Sequence, residues 1–390
     1  MTKPQRALLI SFSDLKSDPR VRKQIDWLKE SGWVIDTLGL GDEPSPQVRD
    51  HFALQDQAKW VRSRIGAAFI YLLLPRTRRF ALLTGDRIPE EANRRVRDGD
   101  YSLIFFNDFE LIAWTKNRRV FTPAALRATI HLDLHEYRDP KLPLTSAWRV
   151  ITSDYYRWTR TLIGDPVFTS RSTVASRIAE FFVEDFGFDK PAIVRNCPPF
   201  VDQEPSPVDP NNIKLVFHGM ASWARGLKDI CDALRVLDDR FSATFMLTPN
   251  RQVISELTEY AQDLGDRVRF VPPVAMRDVS STLNQYDLEV MFYQPDSRNL
   301  EFSLPNKFFE AIQGRLGLVI GESPMMSEIV DEYGNGVIVD GWATQDLAKT
   351  LSALTADRVA ALKSASHRAA LAINAETERA AFLQSIGASE

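Results

Sequence analysis

The stretch Asn299 to Val339 reads NLEFSLPNKFFEAIQGRLGLVIGESPMMSEIVDEYGNGVIV, and it decides the fold. Ser303, Leu304 and Pro305 predict a helix start, with a serine able to cap the first turn and a proline whose fixed φ suits it. Phe308, Phe309, Ala311 and Ile312 give that helix an apolar face, and Gly314 closes it. Leu316 to Ile320 then reads as a buried strand, and Ser323-Pro324 with Glu328 turns the chain into a further helix. Helix, strand and helix in about 30 residues make an α/β unit. Ligands of such sheets lie at the carboxyl ends of strands beside helix amino ends. Asn306 and Lys307 therefore fall in a first turn facing a ligand, with Glu310 one turn on, and an anion suits them.

Outward from this stretch, the 390 residues are many for one hydrophobic core, which predicts two domains. With 44% apolar and 26% charged residues the chain is ordinary globular material. Its formal net charge of −4 gives no electrostatic ground for binding nucleic acid in bulk. The two cysteines, Cys197 and Cys231, have no metal-ligand spacing, and they fit a reducing cytoplasm. The start, MTKPQRALLISFSD, has too short an apolar run for a signal peptide, and Ala67 to Leu74 is too short to span a membrane.

Ala7 to Phe12 is the first predicted strand, followed by a loop to Pro19, a helix with Val21, Ile25 and Leu28 inward, and a strand from Trp33 to Leu38. From Lys59 to Arg97 many arginines interleave with Trp60, Phe69, Leu72, Leu73 and other apolar residues. Two readings are open there: helices packed on a sheet, or a peripheral contact with an anionic membrane. Further strands are expected over Tyr101–Phe106, Ala128–Leu134, Asp165–Thr169 and Ala192–Val194, with a helix over Ser172–Phe182. His131 lies within a strand and reads as packed; His135 follows the end of that strand. Asp98-Gly99-Asp100 reads as a solvated turn, and no cluster of residue types suggests a metal ion. The acid- and proline-rich run Asp202 to Asn212 reads as a hinge.

Beyond it, strands are expected over Lys214–Phe217, Ala243–Leu247, Val268–Val271 and Leu288–Tyr293. The loop from Gly219 to Gly226, between a strand and a helix, is a generic phosphate cradle without a P-loop ending. Arg225, at the start of the following helix, opposes the helix dipole and so calls for a reason to be there.

The segments SDPRV (17–21), DLHE (133–136), NCPPF (196–200), Arg225-Gly226 and SLPNKFFEA (303–311) together resemble retaining glycosyltransferases of the GT-B type, specifically glycosyltransferase family 4. The resemblance covers almost the whole chain. It implies an α/β fold of two Rossmann-like domains facing across a cleft: an amino-terminal acceptor domain over 1–200, a linker over 201–212, a nucleotide-sugar domain over 213–370, and a last helix over 371–390 packed back on the first domain. It also assigns roles. Glu310 matches the second Glu of the family's Glu-x7-Glu motif, which holds the donor ribose. The first Glu falls on Phe302, with Glu301 beside it. Arg225 matches one of the two basic residues that neutralise the donor diphosphate; Met220 stands where the family has the other, an Arg, and Lys307 or an arginine of the first domain is expected to compensate. Phe270 and Val271 lie near the base, Gly219 and Asn306 near the phosphates, and Arg20 and Arg22 near the acceptor or donor. His135 faces the donor sugar.

The activity implied is transfer of a hexosyl unit from a nucleotide diphosphate sugar to a cell-surface glycan, a glycolipid or another acceptor, with no metal and no cofactor beyond the donor. Two rivals stay open: a non-catalytic sugar-nucleotide-binding protein, and an enzyme similar to UDP-N-acetylglucosamine 2-epimerases. A cytoplasmic protein with a peripheral contact at the inner face of the cell membrane is the expectation for location.

Overall fold

The computed structural model describes residues 4–107, 109–137 and 147–388. They form two compact α/β units: the chain up to Val194 together with the part from Arg379 onward, and the continuous segment Arg195–Glu378.

The first unit contains β1 (Arg6–Asp14), α1 (Pro19–Glu30), β2 (Val34–Leu40), β3 (Asp50–Ala53), α2 (Lys59–Arg62), α3 (Arg64–Leu73), α4 (Arg76–Leu83), α5 (Glu90–Arg97), β4 (Leu103–Phe106), β5 (Thr129–Leu134), α6 (Ala147–Thr161), β6 (Ser170–Thr173), α7 (Ser176–Phe186) and β7 (Ala192–Ile193). Its seven strands are parallel in the order β3-β2-β1-β4-β5-β6-β7. Ala7 to Ile10 of β1 and all of β4 are buried, as strands covered on both faces must be. Asp18 caps α1 by accepting from the backbone of Arg20 and Val21, and Pro19 fills the first helical position.

β6 runs from Ser170 to Thr173, beyond the expected Asp165–Thr169, and α7 begins at Ser176 instead of Ser172. The strand SRST carries no apolar signal. Its serines are used as hydrogen-bonding groups: Ser170 and Ser172 bond the two ring nitrogens of His131 at 2.8 Å each, and Ser172 also donates to Asp133 at 2.7 Å. His131 is thus packed, and burial lowers its pKa to about 4. β3, four residues at the sheet edge, was absent from the expectation.

The second unit contains β8 (Ile213–Met220), α8 (Leu227–Val236), β9 (Phe241–Thr248), α9 (Arg251–Tyr260), β10 (Val268–Val271), α10 (Val279–Leu283), β11 (Leu288–Met291), α11 (Arg298–Glu301), α12 (Asn306–Gln313), β12 (Gly317–Ile320), α13 (Pro324–Tyr333), β13 (Gly336–Ile338), α14 (Thr344–Ser352) and α15 (Ala356–Ala372). Its six strands are parallel in the order β10-β9-β8-β11-β12-β13. α12 starts at Asn306 with Pro305 at the cap position, and Ser303 does not cap it. A residue before proline is kept out of helical geometry, so Leu304 cannot join the helix. The Ser303 hydroxyl donates instead to the Leu300 carbonyl at 3.0 Å. One α16 (Ala375–Ser385) follows α15, and it passes from the second unit into the first.

The expected boundary at 200 and hinge at 201–212 differ from the structure, which divides at Val194/Arg195 and docks this run on the second unit. Arg315, buried and in the left-handed region at φ 64°, donates to the carbonyls of Val201, Gln203 and Gln313. Lys363 donates to Ser206, the Tyr286 carbonyl and Asp287, each at 2.8 Å. Proline-rich composition exposes little apolar surface for packing, but its carbonyls remain acceptors, and buried cations take them up.

Candidate functional site

In the second sheet the strand order reverses between β8 and β11, and a crevice beyond the carboxyl ends of those strands is where such sheets hold ligands. His218, near the end of β8, faces Glu289 on β11. The Glu289 carboxylate accepts from the backbone of His218 at 3.3 Å and pairs with its Nδ1 at 2.9 Å, while His218 Nε2 lies 3.0 Å from Glu310 Oε2 on α12. With a carboxylate at each ring nitrogen, both nitrogens donate and the ring is an imidazolium. Burial pulls the His218 pKa down, but Glu289 and Glu310 outweigh it and hold it at about 9.

Lys307 lies one turn before Glu310. Its Nζ is shut off from solvent with no hydrogen-bond partner, 3.7 Å from the centre of the Phe217 ring and 5.2 Å from that of Tyr293. Burial lowers its pKa to about 7, against the attraction of Glu289 and Glu310 and with the repulsion of Arg225. The Arg225 guanidinium lies over Tyr293 as well, 5.0 Å from the centre of its ring. No carboxylate among the described residues pairs with it. Gly226 brings it there: at φ 68°, a Cβ on this residue would stand 1.8 Å from the Phe292 carbonyl oxygen. Only glycine permits this approach of the loop to the exit of β11.

Gly219 has φ 124°, and no atom lies within 4 Å of where its Cβ would be, which leaves the backbone open to a ligand. Met220 is 60% exposed beside it. Asn306 is exposed and accepts from the Asn196 side chain at 2.7 Å. Glu301 ends α11 and lines a small hollow with Tyr293, Glu322 and Trp342. Phe270 and Val271 stand on β10, two strands from β8. The Phe270 ring stacks on Phe245 at 5.4 Å, and neither residue joins the cluster around Lys307.

In the first unit, His135 is the residue after β5. Nearby Asp133 is buried, and its carboxylate accepts from Arg20 Nη1 at 2.6 Å; burial would raise its pKa, but Arg20, His135 and the Ser172 hydroxyl hold it below the ordinary value. Arg20 is thus engaged in its own unit, and Arg22 donates to the Lys16 carbonyl. Asp98 pairs with Arg94, and among the described residues no group of acids, histidines or cysteines could hold a metal ion.

Sequence reasoning missed His218 and Glu289. The available signal was an acid inside the apolar run Leu288 to Tyr293, on a strand with neighbours on both sides. A buried acid there requires a partner.

Residues 212–357 match the family model described as Glycosyl transferases group 1. No curated protein matches the sequence. Among solved structures, a glycosyltransferase from Rickettsia africae aligns with a TM-score of 0.68 at 11% identity, over 98% of each chain. Anabaena HepE in complex with UDP gives 0.68 at 15% identity, over 98% of this chain and 99% of that one. Sucrose-phosphate synthase from Thermosynechococcus elongatus gives 0.66 at 16% identity, over 97% and 98%. Residues 212–357 of the second unit are therefore similar to the Glycosyl transferases group 1 model, and the whole chain has the two-domain GT-B fold.

Proposed function

We propose that this chain is a retaining hexosyltransferase of glycosyltransferase family 4, using a nucleotide diphosphate sugar as donor and a glycan, glycolipid or other hydroxyl as acceptor. The observation that carries the reading is Arg225, without an ion-pair partner among the described residues, and Lys307, whose Nζ has no hydrogen-bond partner, beside the Glu310 carboxylate at the switch point of the second sheet. A diphosphate gives the Lys307 ammonium the hydrogen bonds it lacks and Arg225 the anion it lacks. The Glu310 oxygen not bonded to His218 suits ribose hydroxyls. HepE, of the same fold, was solved with UDP and with UDP-glucose, which makes uridine donors the first to test.

In the transfer, the bond from the anomeric carbon to the phosphate oxygen breaks and the diphosphate leaves with the electron pair. The acceptor oxygen bonds the same carbon from the same face, and its proton passes to the departing phosphate oxygen. Arg225, Lys307 and the amino end of α8 stabilise the charge that grows on the diphosphate. His135 is assigned to a hydroxyl of the donor sugar.

Exposed Met220 favours a second reading, a sugar-nucleotide-binding protein without turnover, because a cation expected at that position is missing. Thermal-shift measurements against nucleoside diphosphates and their sugars identify the ligand by mass action. Release of UDP from UDP-hexose, with and without added acceptor, then tests turnover. Binding without release supports the second reading, turnover of UDP-N-acetylglucosamine without acceptor supports an epimerase, and failure of every nucleotide to bind rejects all three.

A further inference from the structure

Five of the thirteen large apolar side chains exposed among the described residues fall within 14 positions of the first unit: Trp60, Ile65, Phe69, Leu72 and Leu73. On α3 the last four recur at i, i+4, i+7 and i+8, which is one face of a helix. Ile65 is 85% exposed and Leu73 69%, whereas Ile70 on the inner side is fully buried and Tyr71 meets the edge of Tyr155 at 5.7 Å. The helix is amphipathic with its apolar stripe turned outward. An arrangement of this kind has no use in water.

The turn that joins α2 to α3 is tightly built. Ser63 caps α3 by accepting from Gly66 N–H at 3.0 Å, and a Cβ on Gly66 would lie 1.9 Å from the Trp60 carbonyl oxygen. This holds α2, which carries Trp60, against the start of the stripe.

The charge within the segment that carries the stripe is of one sign, although Arg62 pairs with Asp56 just before it. Residues 57–85 contain Lys59, Arg62, Arg64, Arg76, Arg78 and Arg79 and no acid. Arg76 and Arg79 are tied to Asp154 of α6, and Arg79 is buried. The arginines further along are also occupied: Arg94 and Arg95 pair with Glu91, Arg95 with Asp36 and Asp50, and Arg97 with Glu90. The basic stretch read in the sequence over 59–97 therefore has two parts. The second half is ordinary ion-paired structure. In the first half, Lys59, Arg64 and Arg78 are exposed with no ion pair among the described residues. Arg78 also lines a hollow of about 980 Å³ with Arg118, Arg119 and Trp158, which Asp86 and Glu90 line as well and where Lys116 is paired with Asp165.

We infer that α2 and α3 form a docking face for a bilayer with anionic phospholipids. The stripe Ile65, Phe69, Leu72 and Leu73, with Trp60, enters the interface, and Lys59, Arg64 and Arg78 meet the headgroup phosphates. Among the described residues no helix is long and apolar enough to cross a membrane, so the attachment is peripheral and reversible. The inference stands apart from the sugar-nucleotide reading, since it uses none of the same residues.

The test is co-sedimentation of the full chain with vesicles of phosphatidylcholine alone and with added phosphatidylglycerol, at low and high salt. Binding is expected only with phosphatidylglycerol and is weakened by salt. The triple variant Lys59→Gln/Arg64→Gln/Arg78→Gln should bind roughly a hundredfold less well, about fivefold for each cation near the surface. Phe69→Ser/Leu72→Ser/Leu73→Ser should bind at least tenfold less well, with circular dichroism and melting unchanged because these side chains are exposed. Absence of wild-type binding, or equal binding by the serine variant, overturns the inference. A chain that binds no vesicles but is dimeric by sedimentation velocity, and monomeric in the serine variant, overturns it in favour of a second copy on this face. In each of these outcomes, nucleotide binding in the thermal-shift panel still reads on the donor site separately.

Discussion

His218 Nε2 lies 3.0 Å from Glu310 Oε2, so the carboxylate assigned to the donor is held by an imidazolium, which the fully buried Glu289 holds in turn. One oxygen of Glu310 is thereby committed to the protein, which leaves the other for a ligand.

Glu310→Gln keeps the shape and removes the charge. Hydrogen bonds to a charged group contribute about 1.5–3 kcal/mol, so affinity for the cognate nucleoside diphosphate should fall roughly 10- to 100-fold. Isothermal calorimetry measures this, and unchanged affinity for every nucleotide rejects the ribose assignment.

Lys307 has a second, more direct signature. With its pKa held at about 7, much of the side chain is neutral at pH 8 before binding. A diphosphate favours the ammonium, so binding at pH 8 should take up about one proton per site. Calorimetry in buffers of different ionisation enthalpy counts that proton. Uptake that persists in Lys307→Met assigns the proton to another group.

The two titrations act oppositely on stability. His218 has a folded value of about 9, above its ordinary 6.5, so its stabilisation is complete below pH 6.5 and is lost as pH rises through 9. The folded value of Lys307 is below its ordinary 10.5, so its burial destabilises most below pH 7 and progressively less toward pH 10.5. Urea midpoints of Lys307→Met should therefore fall between pH 6.5 and 9, and more steeply than those of the wild type. A flat profile in the variant contradicts the His218 assignment.

Gly226→Ala places a methyl group 1.8 Å from the Phe292 carbonyl oxygen at a φ of 68°. A cost of about 1–3 kcal/mol in stability is expected from the backbone conformation alone, and displacement of Arg225 should weaken diphosphate binding. Denaturant unfolding and calorimetry read the two effects. A variant with wild-type values for both shows that the loop can relax without consequence.

His135→Ala should lower kcat by roughly 10²-fold, the scale of one lost electrostatic contact in the transition state, while nucleotide affinity changes little. A melting curve distinguishes this from loss of a strand cap, because a destabilised or fully active variant removes the catalytic assignment.

What could be read in the sequence follows the strength of local signals. Runs such as Ala7–Ile10 and Leu103–Phe106 are apolar because both sheet faces are covered, and the glycine-ended α1 announces itself through Asp18 and Pro19. β6 was misplaced because Ser170 and Ser172 serve a buried histidine and an aspartate, so its pattern is polar where a strand is expected to be apolar. In the site, the helix start at Pro305 placed Lys307 and Glu310 within one turn of each other, whereas Arg225 and Glu310 were singled out by resemblance to family motifs. The Glu289–His218 pair was not, because its meaning lies in two strands that are neighbours in space and 71 residues apart in the chain. The outward turn of the α3 stripe was equally hidden, since periodicity gives a face but not its direction.

The passage of the chain back into the first unit has a consequence for biosynthesis. Phe382 on α16 is buried with its ring 5.1 Å from Trp27 and 5.6 Å from Phe105, inside the first unit. The ribosome has therefore made all of Arg195–Glu378, a continuous unit, before it supplies the side chain that fills this core. Domains that are continuous in sequence can close as they emerge, ordinarily from the amino end. Here the order is inverted: Trp27 and Phe105, made first, receive their neighbour Phe382 only after all of the second unit has been made.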